Sequence, residues 1–292
     1  MKFIIDQEAN GMVLREYLRE KLQFSSRFIK KLTTKKGYLI VNDQPVTVRY
    51  VLQTGDMLEV IIPDEKRSES IQPESIPLQI IYEDDYLIVL DKPARIPSIP
   101  SRLHPTGTIA NGLLAYYDEQ NLPYTVHVVT RLDKDTSGLM LIAKHQYSHS
   151  LLSAMQKRNK IIRSYEALVH GKLERSEGTI EKPIRRKLDS IIEREVSPFG
   201  QKAITHYKVI RQYESFSHVA VRLETGRTHQ IRVHFSAIGH PLLGDDLYGG
   251  STKYINRQAL HCANIQFIHP FTNENLTFNS ELPEDLRKLF NT

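Results

Sequence analysis

Residues 126–144, VHVVTRLDKDTSGLMLIAK, constrain this chain more than any other stretch. Val126, Val128 and Val129 form a β-branched apolar run that reads as the end of a strand. Leu139, Met140, Leu141, Ile142 and Ala143 form a second run, too brief for a helix and suited to a buried strand. Between them lie Arg131, Asp133, Lys134, Asp135, Thr136, Ser137 and Gly138. Strands on both sides fix the backbone of such a loop while its charges face outward, which is how chemistry is commonly mounted.

The rest of the chain divides around this stretch. Residues 1–62 read as a small separate unit. Val13, Leu14, Tyr17, Leu18 and Leu22 recur at helical spacing. Ser25 or Ser26 can cap a second helix bearing Phe28, Ile29 and Leu32, with Arg27, Lys30, Lys31, Lys35 and Lys36 as a basic cluster and Gly37 as its stop. Strands are expected over 38–42 and 57–62. Residues 63–77, PDEKRSESIQPESIP, are polar, proline-bearing and without periodicity, so they read as an extended, mobile linker.

Residues 78–292 read as the larger unit. A hairpin is expected over 78–90, helices over 109–117, 149–157, 228–238 and 282–290, and strands over 164–170, 203–210, 218–223, 264–269 and 275–278. Residues 182–202 are strongly charged and read as an arm or insertion. No βαβ rhythm is visible. The pattern predicts an α+β fold: a mostly antiparallel mixed sheet with flanking helices and a central active-site cleft, plus a small α/β N-terminal domain.

Composition narrows the function classes. No apolar run is long enough to span a bilayer, and the first residues carry an acidic side chain without a signal-peptide apolar region, so a cytoplasmic protein is expected. The single cysteine, Cys262, excludes an intrachain disulfide and offers no thiolate cluster for zinc. A net charge of +5 favours an anionic partner only mildly.

Asp133, beside Arg131 and Lys134, is expected to stay ionised, and an oriented carboxylate can attack the anomeric carbon of a sugar. A structural ion pair is the plainer alternative. Asp133 with Asp135 also fits the paired acids of a glycosidase, and adding Asp245 and Asp246 fits a metal-dependent nuclease. Asp135, Thr136 and Ser137 can equally satisfy backbone groups of the loop. Farther on, LETGRTHQIRVH places Thr225, Gly226 and Arg227 at the expected start of a helix, where Arg227 can grip a carboxylate bidentately. His229 and His234 are five apart, off one helix face and without thiols, so a metal site is discounted.

Three separated blocks resemble the RluA-type RNA pseudouridine synthases, in order. They are RLDKDTSGL from Arg131 to Leu139, SYEALVHG from Ser164 to Gly171, and LETGRTHQIR from Leu223 to Arg232. GHPLLGD from Gly239 and QALH from Gln258 are also similar to that family, so the resemblance covers residues 76–292. The first unit resembles the S-four-type RNA-binding module, whose basic helix lies on phosphates; a merely solvated helix face is the alternative.

The resemblance implies an isomerase that turns uridine into pseudouridine in structured RNA, without cofactor or metal. It implies Asp133 as the catalytic aspartate, acting by attack or by elimination at the sugar. It also implies Arg227 as the partner that orients Asp133, and Tyr165 as a wall packing on the base and helping to take the carbon-5 proton. Arg131, Lys134, Leu223, Thr225, His229 and Arg232 are the expected substrate-binding residues, with Arg131 suited to fill the space left by an unstacked base. Large-subunit ribosomal RNA is the expected partner, transfer RNA the alternative, with no obligatory protein partner. Thr130 stands where the family usually has histidine. Two other readings remain open: the nuclease, and a non-catalytic RNA-binding assembly factor.

Overall fold

The computed structural model describes residues 1–34, 38–63, 65 and 67–291. Lys35, Lys36 and the expected helix stop Gly37 lie outside the described residues.

The N-terminal unit contains strand β1 (Lys2–Ile4), helices α1 (Leu14–Glu20) and α2 (Ser26–Leu32), and strands β2 (Leu39–Val41), β3 (Gln44–Pro45) and β4 (Met57–Val60). The strands form a four-stranded sheet in the order β1-β4-β2-β3. Ser25 caps α2, its hydroxyl accepting from the Phe28 N–H at 3.2 Å. Leu14, Leu18, Phe28, Ile29 and Leu32 bury the apolar faces of both helices against this sheet. Tyr147 of the larger unit completes that core: its ring meets Phe24 edge-on at 4.1 Å and its hydroxyl donates to the Leu22 carbonyl at 2.6 Å.

The expected mobile linker is tied down instead. The Glu65 carboxylate bonds His127 Nε2 at 2.8 Å and accepts from the Gln146 N–H at 2.7 Å. Arg67 pairs with Asp118 and donates to the Leu122 and Tyr124 carbonyls at 2.9 and 2.7 Å. Polar composition alone did not reveal these partners, which belong to two helices, a loop and a strand, all more than fifty residues away.

The larger unit begins with the hairpin β5 (Gln79–Glu83) and β6 (Leu87–Lys92), then α3 (Ile109–Glu119), β7 (His127–Val128), β8 (Ser137–Ala143) and α4 (Gln146–Lys157). It continues through β9 (Ile162–His170), β10 (Glu177–Glu181), β11 (Ile184–Arg186), β12 (Arg194–Val196), β13 (Ile204–Gln212), β14 (Phe216–Leu223) and α5 (Gln230–Ala237). Strands β15 (Leu260–Ile268) and β16 (Asn275–Asn279) and helix α6 (Glu284–Arg287) close it. The main path of the ten-stranded sheet runs β10-β13-β14-β9-β15-β8-β6-β5, with β7 and β16 on its margins. The β8–β15 pairing is parallel and its other neighbours are antiparallel, giving the expected mixed α+β sheet.

Strand β8 is buried at all seven positions, which is why its sequence is continuously apolar rather than alternating. Gly138 stands at φ +108°, and a Cβ there would lie 2.3 Å from the Cys262 carbonyl oxygen. Only glycine lets the polar loop turn into β8 this close to β15. Charged residues 182–202 contain the antiparallel pair β11–β12, an ordered ribbon whose tip exposes Leu188 and Ile191.

Candidate active site

The loop after β7 is anchored from below. Thr130 is fully buried, and its hydroxyl accepts from the Leu141 N–H at 2.9 Å, so the residue in place of histidine has a structural partner in β8. Ser98 clamps Leu132 in both directions, donating to its carbonyl at 2.6 Å and accepting from its N–H at 3.1 Å. The buried Lys92 ammonium donates to the carbonyls of Pro93, Ile96 and Lys134 at 2.8, 2.9 and 2.9 Å. Burial lowers the Lys92 pKa to about 7, against the opposing pull of Asp135 and Asp133. Arg257, itself bidentate to Asp285, donates to the Asp135 carbonyl at 3.1 Å. These groups fix the loop's backbone and leave Asp133 facing a cleft of about 690 Å³.

Opposite the loop, α5 supplies Arg232. Its guanidinium is bidentate to the buried Asp245, with Nε–Oδ2 and Nη2–Oδ1 both at 2.7 Å. The remaining nitrogen, Nη1, reaches Asp133 Oδ2 at 3.3 Å. Both carboxylates hold Arg232 charged, raising its pKa against the penalty of burial. His229 Nε2 faces the same oxygen of Asp133 at 3.8 Å, and burial lowers the His229 pKa. Arg232 therefore stands between Asp133 and Asp245, the two acids a nuclease reading would place on one cation.

Arg227 does not make the expected pair. Its Nε donates to the Lys202 carbonyl at 3.0 Å, at the exposed mouth of the cleft. The expected helix start is also corrected: α5 begins at Gln230, and residues 225–229 are a loop. The Gln230 side chain organises that loop, accepting from the Thr225 hydroxyl at 2.8 Å and the Arg227 N–H at 3.0 Å. Arg232 alone lies far enough into the helix to point at Asp133.

Tyr165 is buried on β9, opposite Val221 of β14 and Cys262 of β15, and its ring forms a wall of the cleft. Burial raises the pKa of its phenol, which works against the expected help in taking a proton. Cys262 is fully buried beside it, its thiol pushed up to about 12 by desolvation. Arg131 and Lys134 are exposed and line the cleft, as do Leu223 and His229. Thr225 stands beside them in the loop, its hydroxyl bonded inward and also accepting from the Ile204 N–H at 2.9 Å.

Sequence reasoning missed five contributors: Lys92, Ser98, Asp245 as the Arg232 partner, Tyr248 and Arg194. The signal for Lys92 was a lysine, after Asp91, closing the apolar run 87–90 of β6. For Asp245 it was an acid closing the apolar run of GHPLLGD. Both are charges in segments whose neighbours are buried, which requires a partner. Away from the cleft, Arg27 and Lys30 are exposed on α2, while Lys31 donates to Gln146 of α4 at 2.9 Å.

With this geometry in place, similarity to known proteins is informative. The profile of the RNA pseudouridylate synthase family matches residues 86–237. That of the RluD ribosomal pseudouridine synthase N-terminal domain matches residues 1–58. The chain is 50% identical to the uncharacterized RNA pseudouridine synthase YjbO of Bacillus subtilis, over 95% of this chain and 98% of that one. It is 36% identical to the ribosomal large subunit pseudouridine synthase D of Haemophilus influenzae, over 98% and 93%. Human RNA pseudouridylate synthase domain containing 1 shares the fold, with a TM-score of 0.59 at 22% identity over 76% of this chain and 96% of that one.

Proposed function

The chain belongs to the RNA pseudouridylate synthase family and isomerises uridine in RNA, and on that premise we propose that Asp133 is the carboxylate that drives the reaction. The observation that carries this reading is Arg232, held by Asp245 on one side and presented to Oδ2 of Asp133 on the other. One oxygen of Asp133 is thereby occupied, and Oδ1 is left to meet the ribose. It can attack carbon 1′ or take the 2′ proton; either route breaks the bond from carbon 1′ to nitrogen 1. The base then turns and carbon 5 bonds to carbon 1′, which frees Asp133 on the first route or takes back the 2′ proton on the second; the carbon-5 proton is then lost and nitrogen 1 gains one. Atoms balance without oxidant or energy source.

The uridine must leave its stack, at a cost of a few kcal/mol, before it can enter the cleft. Tyr165, kept protonated by burial, offers a flat face for the base. Arg131, exposed at the rim, is placed to fill the vacated space, and Lys134, Arg163 and Arg227 to meet phosphates. Residues 1–62 serve as the RNA-holding module through Arg27 and Lys30, with 78–292 as the catalytic unit. The substrate is large-subunit ribosomal RNA, in line with the name of the Haemophilus influenzae relative, and the enzyme works in the cytoplasm. Among the described residues, no helix is long and apolar enough to cross a membrane.

Pseudouridine mapping of total RNA, with and without the gene, tests this reading. The expected result is a site in large-subunit ribosomal RNA that vanishes with the gene and returns with wild type but not with Asp133→Asn. A site lost from transfer RNA would replace the substrate. A site restored by Asp133→Asn would remove the role given to Asp133.

A further inference from the structure

A pair of hydrogen bonds outside the Arg232 pairing ends at His229, whose other ring nitrogen faces Asp133. The backbone N–H of Arg194, the first residue of β12, donates to Tyr248 Oη at 2.9 Å. The same oxygen lies 2.8 Å from His229 Nδ1. Oη accepts from Arg194 and can donate its own hydrogen to Nδ1, the direction that an Nε2–H tautomer requires. A neutral imidazole that accepts at Nδ1 carries its proton on Nε2. That nitrogen faces Asp133 Oδ2, 3.8 Å away.

Two further features show that this placement is built. His229 has φ +57°, a left-handed conformation that costs a non-glycine residue energy and is retained where surroundings enforce it. Tyr248 is fixed on its other sides: the Arg232 guanidinium lies 4.9 Å from its ring centre, and its carbonyl accepts from the Ser236 hydroxyl at 2.8 Å.

We propose that His229 is a positioning residue for the reaction, its Nε2–H set by Tyr248 and closing on Oδ2 of Asp133 when RNA binds. With Arg232 it reserves that oxygen and turns Oδ1 to the ribose. The present separation is longer than a hydrogen bond, and contacts of this kind commonly tighten only in the substrate complex. Because the relay starts at the backbone of β12, the ribbon that flanks the cleft takes part in setting the carboxylate. The inference rests on the reading of Asp133 as the catalytic carboxylate.

The test compares amide replacements. His229→Gln keeps an N–H donor at about the Nε2 position, whereas His229→Asn places it at about Nδ1. Wild type, both variants, His229→Ala, Tyr248→Phe and Asp133→Asn are assayed by tritium release from uridine-C5-labelled cellular RNA of cells lacking the gene. RNA binding and Tm are measured on each. Asn and Ala are expected to lower kcat roughly 10- to 100-fold with KM unchanged, the worth of one hydrogen bond to a charged acceptor. Gln should recover most of that loss, and Tyr248→Phe should lower kcat at unchanged KM. Equal activity of Gln and Asn, or a change confined to KM, would overturn the positioning role while an inactive Asp133→Asn left the catalytic reading standing. Activity in Asp133→Asn would overturn both.

Discussion

Asp133 shares one oxygen with Arg232 at 3.3 Å, and Arg232 is itself clamped by the buried Asp245, so the charge balance of the cleft turns on a single guanidinium. Removing it leaves a buried carboxylate unpaired, which is destabilising by about 3–5 kcal/mol. Arg232→Met is therefore expected to lower both stability and kcat, whereas Arg227→Ala, altering an exposed side chain at the cleft mouth, should mainly raise KM. Urea unfolding and steady-state kinetics on the two variants separate these outcomes. Equal loss of kcat in both would mean that Arg227 reaches Asp133 once RNA is bound. The motif LETGRTHQIR pointed to Arg227 as the partner of the aspartate, whereas the structure gives that contact to Arg232. That choice depends on where the helix begins, and the Gln230 side chain delays the start by holding residues 225–229 as a loop.

At the scale of elements, the strands bracketing the Asp133 loop were legible because β8 is buried on both faces and therefore apolar from Leu139 to Ala143. The 78–90 hairpin, α2 with its Ser25 cap, and the closing β15–β16 pair were legible for equally local reasons: periodicity, a capping hydroxyl and turn residues. Strands β10, β11 and β12 were not. Their residues are charged and only partly buried, and the neighbours that pair with them lie outside any local window. What supports the loop that carries Asp133 was also hidden, since Lys92 binds carbonyls contributed by three separate positions.

That lysine gives a pH-dependent prediction. Its folded pKa of about 7 lies below the ordinary 10.5, so between those values the unfolded chain holds a proton that the folded chain has shed. Stability from this group thus rises with pH across the window, by up to about 1.4 kcal/mol per unit, and is lost as pH falls through 7. Urea titrations of wild type and Lys92→Met should show their difference moving in favour of wild type from about pH 7 to pH 9. A constant difference would mean that the ammonium stays charged throughout.

Across the whole molecule, the N-terminal unit does not hang from a tether. Tyr147 of α4 sits in its core between Phe24 and Phe28, Lys31 is bonded to Gln146, and Glu65 and Arg67 fasten the connecting segment. Deleting residues 1–62 would uncover that aromatic face and mix misfolding with lost RNA contacts. The cleaner change is Arg27→Gln with Lys30→Gln, at exposed positions of α2. If both meet phosphates, the slope of log affinity against log salt should fall by about 1.4–1.8, measured by filter binding from roughly 50 to 200 mM salt. An unchanged slope would mean a solvated helix face.

The central claim is tested most directly by Asp133→Asn, assayed for tritium release from uridine-C5-labelled RNA alongside RNA affinity. Loss of turnover with affinity within about threefold of wild type is the predicted result, since the substitution keeps the side chain's size and removes only the carboxylate's charge and nucleophilicity. Turnover persisting at a substantial fraction of wild type would contradict the account.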